Sequence, residues 1–252
     1  MTGLAIALAL VVGMLVGMLG GGGSILMVPL LTYVAGLEPH AAIASSLFAV
    51  GIASLVSVGL HARRGTVRWR TGGLFAAGGM VGAVLGGTLG SLLPGPVLTI
   101  GFAVMMLLTA RGMIRGRRGG GEPEGERKVR VGRLLATGLG VGLITGLVGA
   151  GGGFLIVPAL VLLAGLPMSA AVGTSLMVIA AQTLAGFAGK LPGVSLDWGL
   201  LLALTGMAVL GALIGVALGK RVPDRALRIG FGWFVLLMGV GVLAAEIAGL
   251  VA

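Results

Sequence analysis

Apolar segments separated by short polar loops run along the whole chain. Ten such segments can be counted in the 252 residues, and one long polar stretch at 115–133 divides them into two groups of five. A helix needs about 20 apolar residues to cross the roughly 30 Å of hydrocarbon in a bilayer. Two segments are short: the first, at 25–37, would reach only about 20 Å as a helix. The pattern predicts an all-α, polytopic transmembrane bundle of about 8–10 hydrophobic segments, in which the two short ones are either tilted crossings or re-entrant half-helices.

Both short segments follow a run of glycines. Residues 20–29 read Gly-Gly-Gly-Gly-Ser-Ile-Leu-Met-Val-Pro, and residues 149–158 read Gly-Ala-Gly-Gly-Gly-Phe-Leu-Ile-Val-Pro. Consecutive glycines are poor helix formers. A helix broken at membrane depth must be buried by protein or line a cavity, because lipid cannot satisfy free backbone groups. Two breaks at matching positions of two halves therefore indicate the binding site of a transporter.

The two halves of the chain repeat each other at a constant offset. Pro29 and Pro158 end the two glycine motifs and lie 158 − 29 = 129 residues apart. The same offset relates glycines, hydroxyl residues and aromatic residues of the two halves: Gly13 and Gly17 to Gly142 and Gly146, Ser45-Ser46 to Thr174-Ser175, Trp69 to Trp198, Gly82, Gly86 and Gly90 to Gly211, Gly215 and Gly219, and Phe102 to Phe231. We interpret the chain as a duplication, with a first transmembrane repeat at 1–114, a flexible cytoplasmic connector at 115–133 and a second repeat at 134–252.

Glycines at four-residue steps mark one face of a long segment in each repeat. In the first repeat they are Gly78, Gly82, Gly86 and Gly90. A face without side chains lets another helix approach closely. These glycines therefore predict helix packing, not ligand binding.

The basic loops occupy opposite ends of the two glycine-rich segments. In the first repeat the arginines at 63–70 precede that segment, whereas in the second the basic residues at 220–228 follow it. Basic loops of membrane proteins lie predominantly in the cytoplasm. Both loops and the connector are then cytoplasmic, which makes the two repeats inverted with respect to each other.

Composition narrows the possible functions. Charged residues make up 10% of the chain, against about 25% in a soluble protein, and the formal charge of +10 lies in short loops, so nucleic acid is not an expected partner. Cysteine is absent, which excludes thiolate metal sites and thiol nucleophiles. Three of the seven acids are in the connector. We therefore predict no enzymatic activity, no metal site and no cofactor.

A small anion is the ligand that fits the glycine breaks. Backbone N–H groups at a helix start, together with the positive end of the helix dipole, bind anions without a charged side chain. The helices after the breaks add hydroxyl groups, and Gln182 is the only amide side chain in the chain. The predicted substrate-binding residues are Gly22, Gly23, Ser24, Ser45, Ser46, Gly151, Gly152, Gly153, Thr174, Ser175 and Gln182.

Structural roles remain open for the same residues. A glycine-rich stretch in a membrane helix is often a packing surface. Serine and threonine hydroxyls in such helices commonly bond back to their own backbone. Each predicted site residue therefore has a structural alternative.

The duplicated unit resembles the TauE/SafE family of sulfite exporters. The resemblance lies in the glycine-rich breaks that run into Val-Pro at 20–29 and 149–158, each followed by an (Ala/Gly)-(Ser/Thr)-Ser-Leu helix segment at 44–47 and 173–176. It covers nearly the whole chain except the connector. It implies a multi-pass protein of the bacterial inner membrane that moves sulfite, sulfonates or similar small sulfur-containing anions.

The resulting hypothesis is a secondary transporter that exports such an anion by alternating access around a site at the repeat interface. The alternative is a membrane-embedded pore or scaffold without alternating access. The expected partners are the anion and the lipid bilayer. A proton or sodium ion as coupling ion and a homodimeric assembly stay open.

Overall fold

The computed structural model describes residues 2–90, 95–116, 131–148, 153–191 and 196–251. Regular structure within these ranges is helical throughout, which confirms the predicted all-α bundle. The helices are α1 (Thr2–Leu19), α2 (Ser24–Pro29), α3 (Pro39–Arg63), α4 (Trp69–Gly90), α5 (Gly95–Arg115), α6 (Val131–Val148), α7 (Gly153–Pro158), α8 (Met168–Lys190), α9 (Trp198–Gly219) and α10 (Asp224–Val251). Of these, α3, α4, α5, α8, α9 and α10 contain stretches long and apolar enough to cross a membrane. Residues 131–133, placed in the connector by the sequence, belong to α6.

The two short helices continue through a proline into a wider helical turn. α2 passes from Pro29 into a π-helical segment at Leu30–Val34, and α7 passes from Pro158 into one at Ala159–Leu163. Proline lacks the N–H group that an α-helix needs, and the chain continues with i→i+5 hydrogen bonds instead. The closing bonds are alike in both copies, at 3.1 Å each. The repeats therefore share this irregular geometry as well as the sequence motif.

The first helix of the first repeat packs against the glycine-rich helix of the second. Gly13 of α1 lies against the Ala208 carbonyl of α9, and Gly17 lies against the Ala212 carbonyl one turn further on. A Cβ atom at either glycine would overlap those backbone atoms. The two helices therefore touch backbone to backbone, as small residues in membrane helices allow.

The reciprocal contact joins α6 to α4. Gly142 lies against the backbone of Gly79, and Gly146 lies against that of Ala83. Adding 129 to 79 and 83 gives 208 and 212, the positions that Gly13 and Gly17 contact. Such exchange of partners is the signature of a two-fold relation. The contacts are therefore reciprocal, as expected for repeats related by a pseudo-two-fold axis, and each repeat contributes one helix to both glycine-lined contacts.

The glycine face predicted for α4 is covered by α6. Added Cβ atoms at Gly82 and Gly86 would overlap the carbonyl oxygens of Leu139 and Leu143. The predicted close helix contact is confirmed, and its partner comes from the other repeat. The remaining long helices also pair across the repeats, α3 with α8 and α5 with α10. Packing thus joins the repeats along their whole length.

Candidate functional site

The first glycine break lies against Gly153, the residue of the second break that the structure describes. Gly21 lies directly against the backbone of Gly153, so a Cβ at Gly21 would overlap the Gly153 carbonyl. The Ser24 hydroxyl lies 2.9 Å from the position that a Cβ at Gly153 would take. Ser24 and Gly153 correspond in the duplication, since 24 + 129 = 153. An axis that relates the two repeats would pass between them.

The first break is a sharp backbone turn followed by a short 3-10 helix. Gly20 has φ 74° and ψ −128°, a conformation that side chains strongly disfavour. Gly21–Gly23 then form one 3-10 turn that leads into α2. Gly23 itself has ordinary helical angles, φ −71° and ψ −24°. Glycine is required at position 20 by the backbone angles and also by its neighbours, since a Cβ there would lie 2.6 Å from the Ser175 hydroxyl oxygen and 2.8 Å from Val157. At Gly21 and Gly23 the requirement comes from close neighbours alone.

The glycines of the first break differ in the space around them. A Cβ at Gly23 would lie about 2.7 Å from atoms of Val16 on α1. The atoms nearest to a Cβ at Gly22 would instead be the ring edges of Phe231 and Phe234 on α10, at 3.3 and 3.4 Å, and Leu19 at 3.6 Å. Gly22 is therefore the position where a small side chain could be added with the least disturbance of the fold.

A phenylalanine from the last long helix of each repeat covers the break of the other repeat. Phe231 of α10 lies over Gly22, whereas Phe102 of α5 packs edge-on against Phe154 at the start of α7, with ring centroids 5.3 Å apart. Phe102 and Phe231 correspond in the duplication. The sequence shows these two residues as a matched pair, but nothing in it places them over the breaks.

Three of the predicted hydroxyl groups are bonded to nearby backbone. Ser24 donates to the Gly21 carbonyl at 2.6 Å, Ser46 to the Ile43 carbonyl at 2.8 Å and Ser175 to the Val172 carbonyl at 2.8 Å. Such local bonds hold the hydroxyl protons within the protein. The structural alternative therefore gains weight at these positions.

Thr174, the hydroxyl residue next to Ser175, forms a hydrogen bond with the other repeat. Its Oγ1 accepts a hydrogen bond from the Arg68 N–H at 3.0 Å. Ser45, its counterpart, is buried with 4% of its surface exposed. The arginine loop before α4 is also anchored on α9, because an Arg64 guanidinium N–H donates to the Val216 carbonyl at 3.2 Å. The sequence indicated the orientation of this loop but not these contacts.

Gln182 occupies space that a glycine on the facing helix leaves free. Its amide nitrogen lies 2.7 Å from the position that a Cβ at Gly79 of α4 would take. Gln182 follows Ile179 by three residues, so both lie near one face of α8, and Ile179 packs against Gly153. The amide is therefore one helical turn from the second break. Gly151 and Gly152 lie outside the described residues.

The electrostatics of the centre depend on neutral groups. Among the described residues the buried polar side chains are serine and threonine hydroxyls and the His61 imidazole. In the same part of the chain, no cluster of His, Cys, Asp or Glu could hold a metal ion. Neutral groups, namely backbone N–H groups, hydroxyls and the Gln182 amide, are then the donors available for an anion in the described interior.

Comparison with known proteins agrees with a membrane-spanning bundle. A family model described as "Sulfite exporter TauE/SafE" matches residues 5–242. A "Probable membrane transporter protein" of Xylella fastidiosa (strain 9a5c) is 35% identical over 248 residues, covering 96% of this chain and 94% of the relative. "Probable membrane transporter protein YunE" of Bacillus subtilis (strain 168) is 26% identical over 259 residues, covering 93% and 94%. No solved structure matches the chain. With nearly its whole length matched, the chain belongs to the sulfite exporter TauE/SafE family and is a multi-pass membrane transporter, not an enzyme.

Proposed function

We propose that the protein is a secondary transporter that exports a small sulfur-containing anion, such as sulfite or a sulfonate, across the bacterial inner membrane. The observation that carries this proposal is the contact of the first glycine break with Gly153 of the second break. A site at this contact borders both repeats. This is the position from which a change in the orientation of the broken helices can open a path to either side of the membrane.

Backbone groups are the proposed anion ligands. The first N–H groups of a helix have no acceptor within the helix, and the helix dipole adds positive potential there. Gly22 and Gly23 supply such groups in the first break, and Gly151 and Gly152 are their counterparts in the second. Sulfite and sulfonates carry three oxygen atoms around sulfur, so donors from two breaks can bind one anion from two directions. Neutral donors also allow release, since no fixed positive charge holds the anion.

Several contacts support inverted repeats. Gly23 lies against Val12 and Val16, so after the break the chain turns back along α1 and α2 runs antiparallel to it. In the first repeat α3, α4 and α5 are long enough to cross, and with α1 and α2 plus its π segment taken as tilted crossings the repeat makes five passes. An odd number of passes places equivalent ends of the repeats on opposite sides of the membrane, in agreement with the reversed basic loops.

Alternating access requires a helical segment that can change its orientation relative to the rest of the bundle. α2 with its π segment lies between Gly20 and Gly36, whose φ angles are 74° and 70°. Residues at the ends of an element often absorb the backbone rotation of a hinge. By contrast, α1 is held by α9, and α6 by α4, through backbone contacts. We infer that these glycine-lined pairs move as rigid units while the broken helices change orientation.

Anion flux in proteoliposomes tests the function. The purified protein should transport sulfite or a sulfonate such as sulfoacetate with saturable kinetics, whereas phosphate and chloride should be poor substrates. Thiosulfate and sulfate in the same panel define the preferred sulfur anion. Adding a proton or sodium gradient identifies the coupling ion. Conductance that does not saturate would show a pore, and absence of flux for every anion would refute the proposal.

Cysteine accessibility tests the orientation of the repeats. Since the chain has no cysteine, single cysteines at positions 68 and 225 report without background. Both should be labelled only from the cytoplasmic side by an impermeant maleimide. A cysteine at position 197 should react from the outside. Labelling of positions 68 and 225 from opposite sides would end the argument for inverted repeats.

A further inference from the structure

A groove on the lipid-facing surface lies between α5 and α10. Its volume is about 530 Å³, and its walls include Val104 and Leu108 of α5 and Leu236 of α10. Arg111 and Arg115 line the same groove. The groove is therefore apolar along most of its length and basic at the end where α5 leads into the connector.

The α5 side of this groove is a single helical stripe. Val104, Leu108, Arg111 and Arg115 follow one another at steps of four, three and four residues, which keeps them on one face. From 104 to 115 the helix rises about 16 Å. Half of a hydrocarbon core of roughly 30 Å is about the same length. The stripe thus matches the depth of one leaflet, with the arginines at the level of the lipid headgroups.

Positive charge is concentrated at the same end. Arg228 of α10 lies against Gly116, the residue after Arg115. Arg111 and Arg115 form no ion pair with any residue that the structure describes. Asp224, in the first turn of α10, faces the Ser169 N–H and hydroxyl, at 3.4 and 3.3 Å. The guanidinium groups of Arg111, Arg115 and Arg228 therefore form a basic region that can bind an anionic group from outside the described part of the chain.

The duplicated stripe in the second repeat provides an internal comparison. The residues that correspond to Val104, Leu108, Arg111 and Arg115 are Trp233, Leu237, Val240 and Ala244. The first three of these are about half exposed or more, so this stripe also faces outwards. It is apolar to its end and has neither arginine. The same surface thus has a basic end in only one of the two repeats.

We propose that the groove between α5 and α10 binds one anionic phospholipid. An acyl chain lies along Val104, Leu108 and Leu236, and Arg111 and Arg115 hold the headgroup phosphate. Guanidinium groups bind phosphate oxygens with two parallel N–H bonds, and basic pockets between membrane helices are known sites for acidic lipids. This site is separate from the proposed substrate site and does not depend on which anion is transported.

Native mass spectrometry of the purified protein with added lipids tests the proposal. Phosphatidylglycerol and phosphatidylcholine with identical acyl chains are compared. The double variant Arg111→Gln/Arg115→Gln should lose at least fivefold of the retained phosphatidylglycerol and keep its low retention of phosphatidylcholine. The matched control Arg63→Gln/Arg70→Gln removes the same charge from exposed positions at the end of α3 and the start of α4. It should retain phosphatidylglycerol normally.

A second variant tests the apolar part of the groove independently of its arginines. Leu108→Trp fills the apolar part and leaves every arginine in place, so it should also lower phosphatidylglycerol retention several-fold. Normal retention in Leu108→Trp, or equal loss in the two arginine pairs, would show diffuse attraction to the surface and overturn the proposal. A dimer that the Arg111/Arg115 variant dissociates would overturn it as well, by showing that the groove holds a second copy of the chain.

Discussion

The two glycine-lined contacts, α1 with α9 and α6 with α4, use the same backbone positions but different side chains. Where α9 has Ala208 facing α1, α4 has Gly79 facing α6. Next to Gly79 the Gln182 amide fills the free space, whereas the residue that corresponds to Gln182 in the first repeat is Ala53. The α4–α6 contact therefore has a side-chain amide beside it that the α1–α9 contact lacks.

The same difference occurs where the breaks meet. Ser24 faces Gly153, its own counterpart, so this pair of positions has a hydroxyl on one side and none on the other. The duplicated backbone is kept nearly symmetric because close helix contacts leave no space for change. Side chains that face remaining space have diverged. We infer that the fold depends on the symmetric backbone contacts, while the asymmetric polar groups adjust recognition.

The largest expected effect is the loss of a glycine-lined contact. Gly86→Leu in α4 and Gly215→Leu in α9 would each drive a side chain into a backbone carbonyl of the facing helix, at Leu143 and Met14 respectively. Backbone atoms cannot rotate away, so the cost should exceed the roughly 1–3 kcal/mol of ordinary overpacking. The amount of folded protein recovered by size-exclusion chromatography should fall sharply for both.

Gly206→Leu is the matched control for those variants, because a Cβ at Gly206 of α9 would meet nothing within 4 Å. It should be recovered like the wild type. Normal thermal stability of Gly86→Leu and Gly215→Leu would mean that these faces do not pack as described.

Next in size is the effect of a methyl group at the first break. Gly22→Ala adds a Cβ that presses only lightly on Phe231 and Phe234, so folded protein should be recovered, but the methyl group obstructs the N–H face proposed for the anion. The apparent affinity for the anion should fall about tenfold, or about 1.4 kcal/mol. Gly21→Ala, which meets the Gly153 carbonyl, should instead fail to fold. Normal transport by Gly22→Ala would place the anion site elsewhere.

A smaller effect is expected when the Gln182 amide beside the α4–α6 contact is removed. Gln182→Ala introduces the residue of the first repeat and removes one neutral donor, which corresponds to about 1 kcal/mol, or about fivefold in affinity. Gln182→Met keeps most of the volume and lacks the amide. Flux measurements should show the same loss for both variants. If only Gln182→Ala is impaired, the side chain acts through packing and not through its hydrogen bonds.

The smallest effect is expected from removal of the Ser24 hydroxyl group. Ser24→Gly makes the first break like the second, and the lost hydroxyl bonds mainly to the Gly21 carbonyl. The affinity for the anion should change by no more than about twofold, or about 0.4 kcal/mol. A loss as large as that of Gly22→Ala, measured in the same flux assay, would show that recognition depends on this hydroxyl group.

Local features of the fold were predictable because they depend on short stretches of sequence. Segment length and hydropathy predict the long helices, and Pro39 begins α3, as a proline suited to a first helical turn should. The helix that covers a glycine face was not predictable. The spacing shows that Gly82 and Gly86 share a face. Any helix with small residues on its own surface could pack against that face.

Site features were predictable only in part. The fixed offset indicates that the two breaks are equivalent, and the structure brings them together. The bonds of Ser46 and Ser175 to their own helices depend on side-chain rotamers that the sequence does not determine. The π-helical segments depend on how each chain continues after its proline. The anion-binding role of the breaks and the inverted orientation stay predictions.

The exchange of partners between the repeats has a consequence for the order of assembly. α6 reaches its contact on α4 across 142 − 79 = 63 residues, whereas α1 must wait for α9 across 208 − 13 = 195 residues. At about 5–20 residues per second, the second interval corresponds to roughly 10–40 s of synthesis. Cross-linking of stalled nascent chains should therefore detect the α4–α6 pair long before the α1–α9 pair. Throughout that interval the glycine face of α1 lies in the bilayer without its partner, so the last third of the chain completes the packing of the first helix.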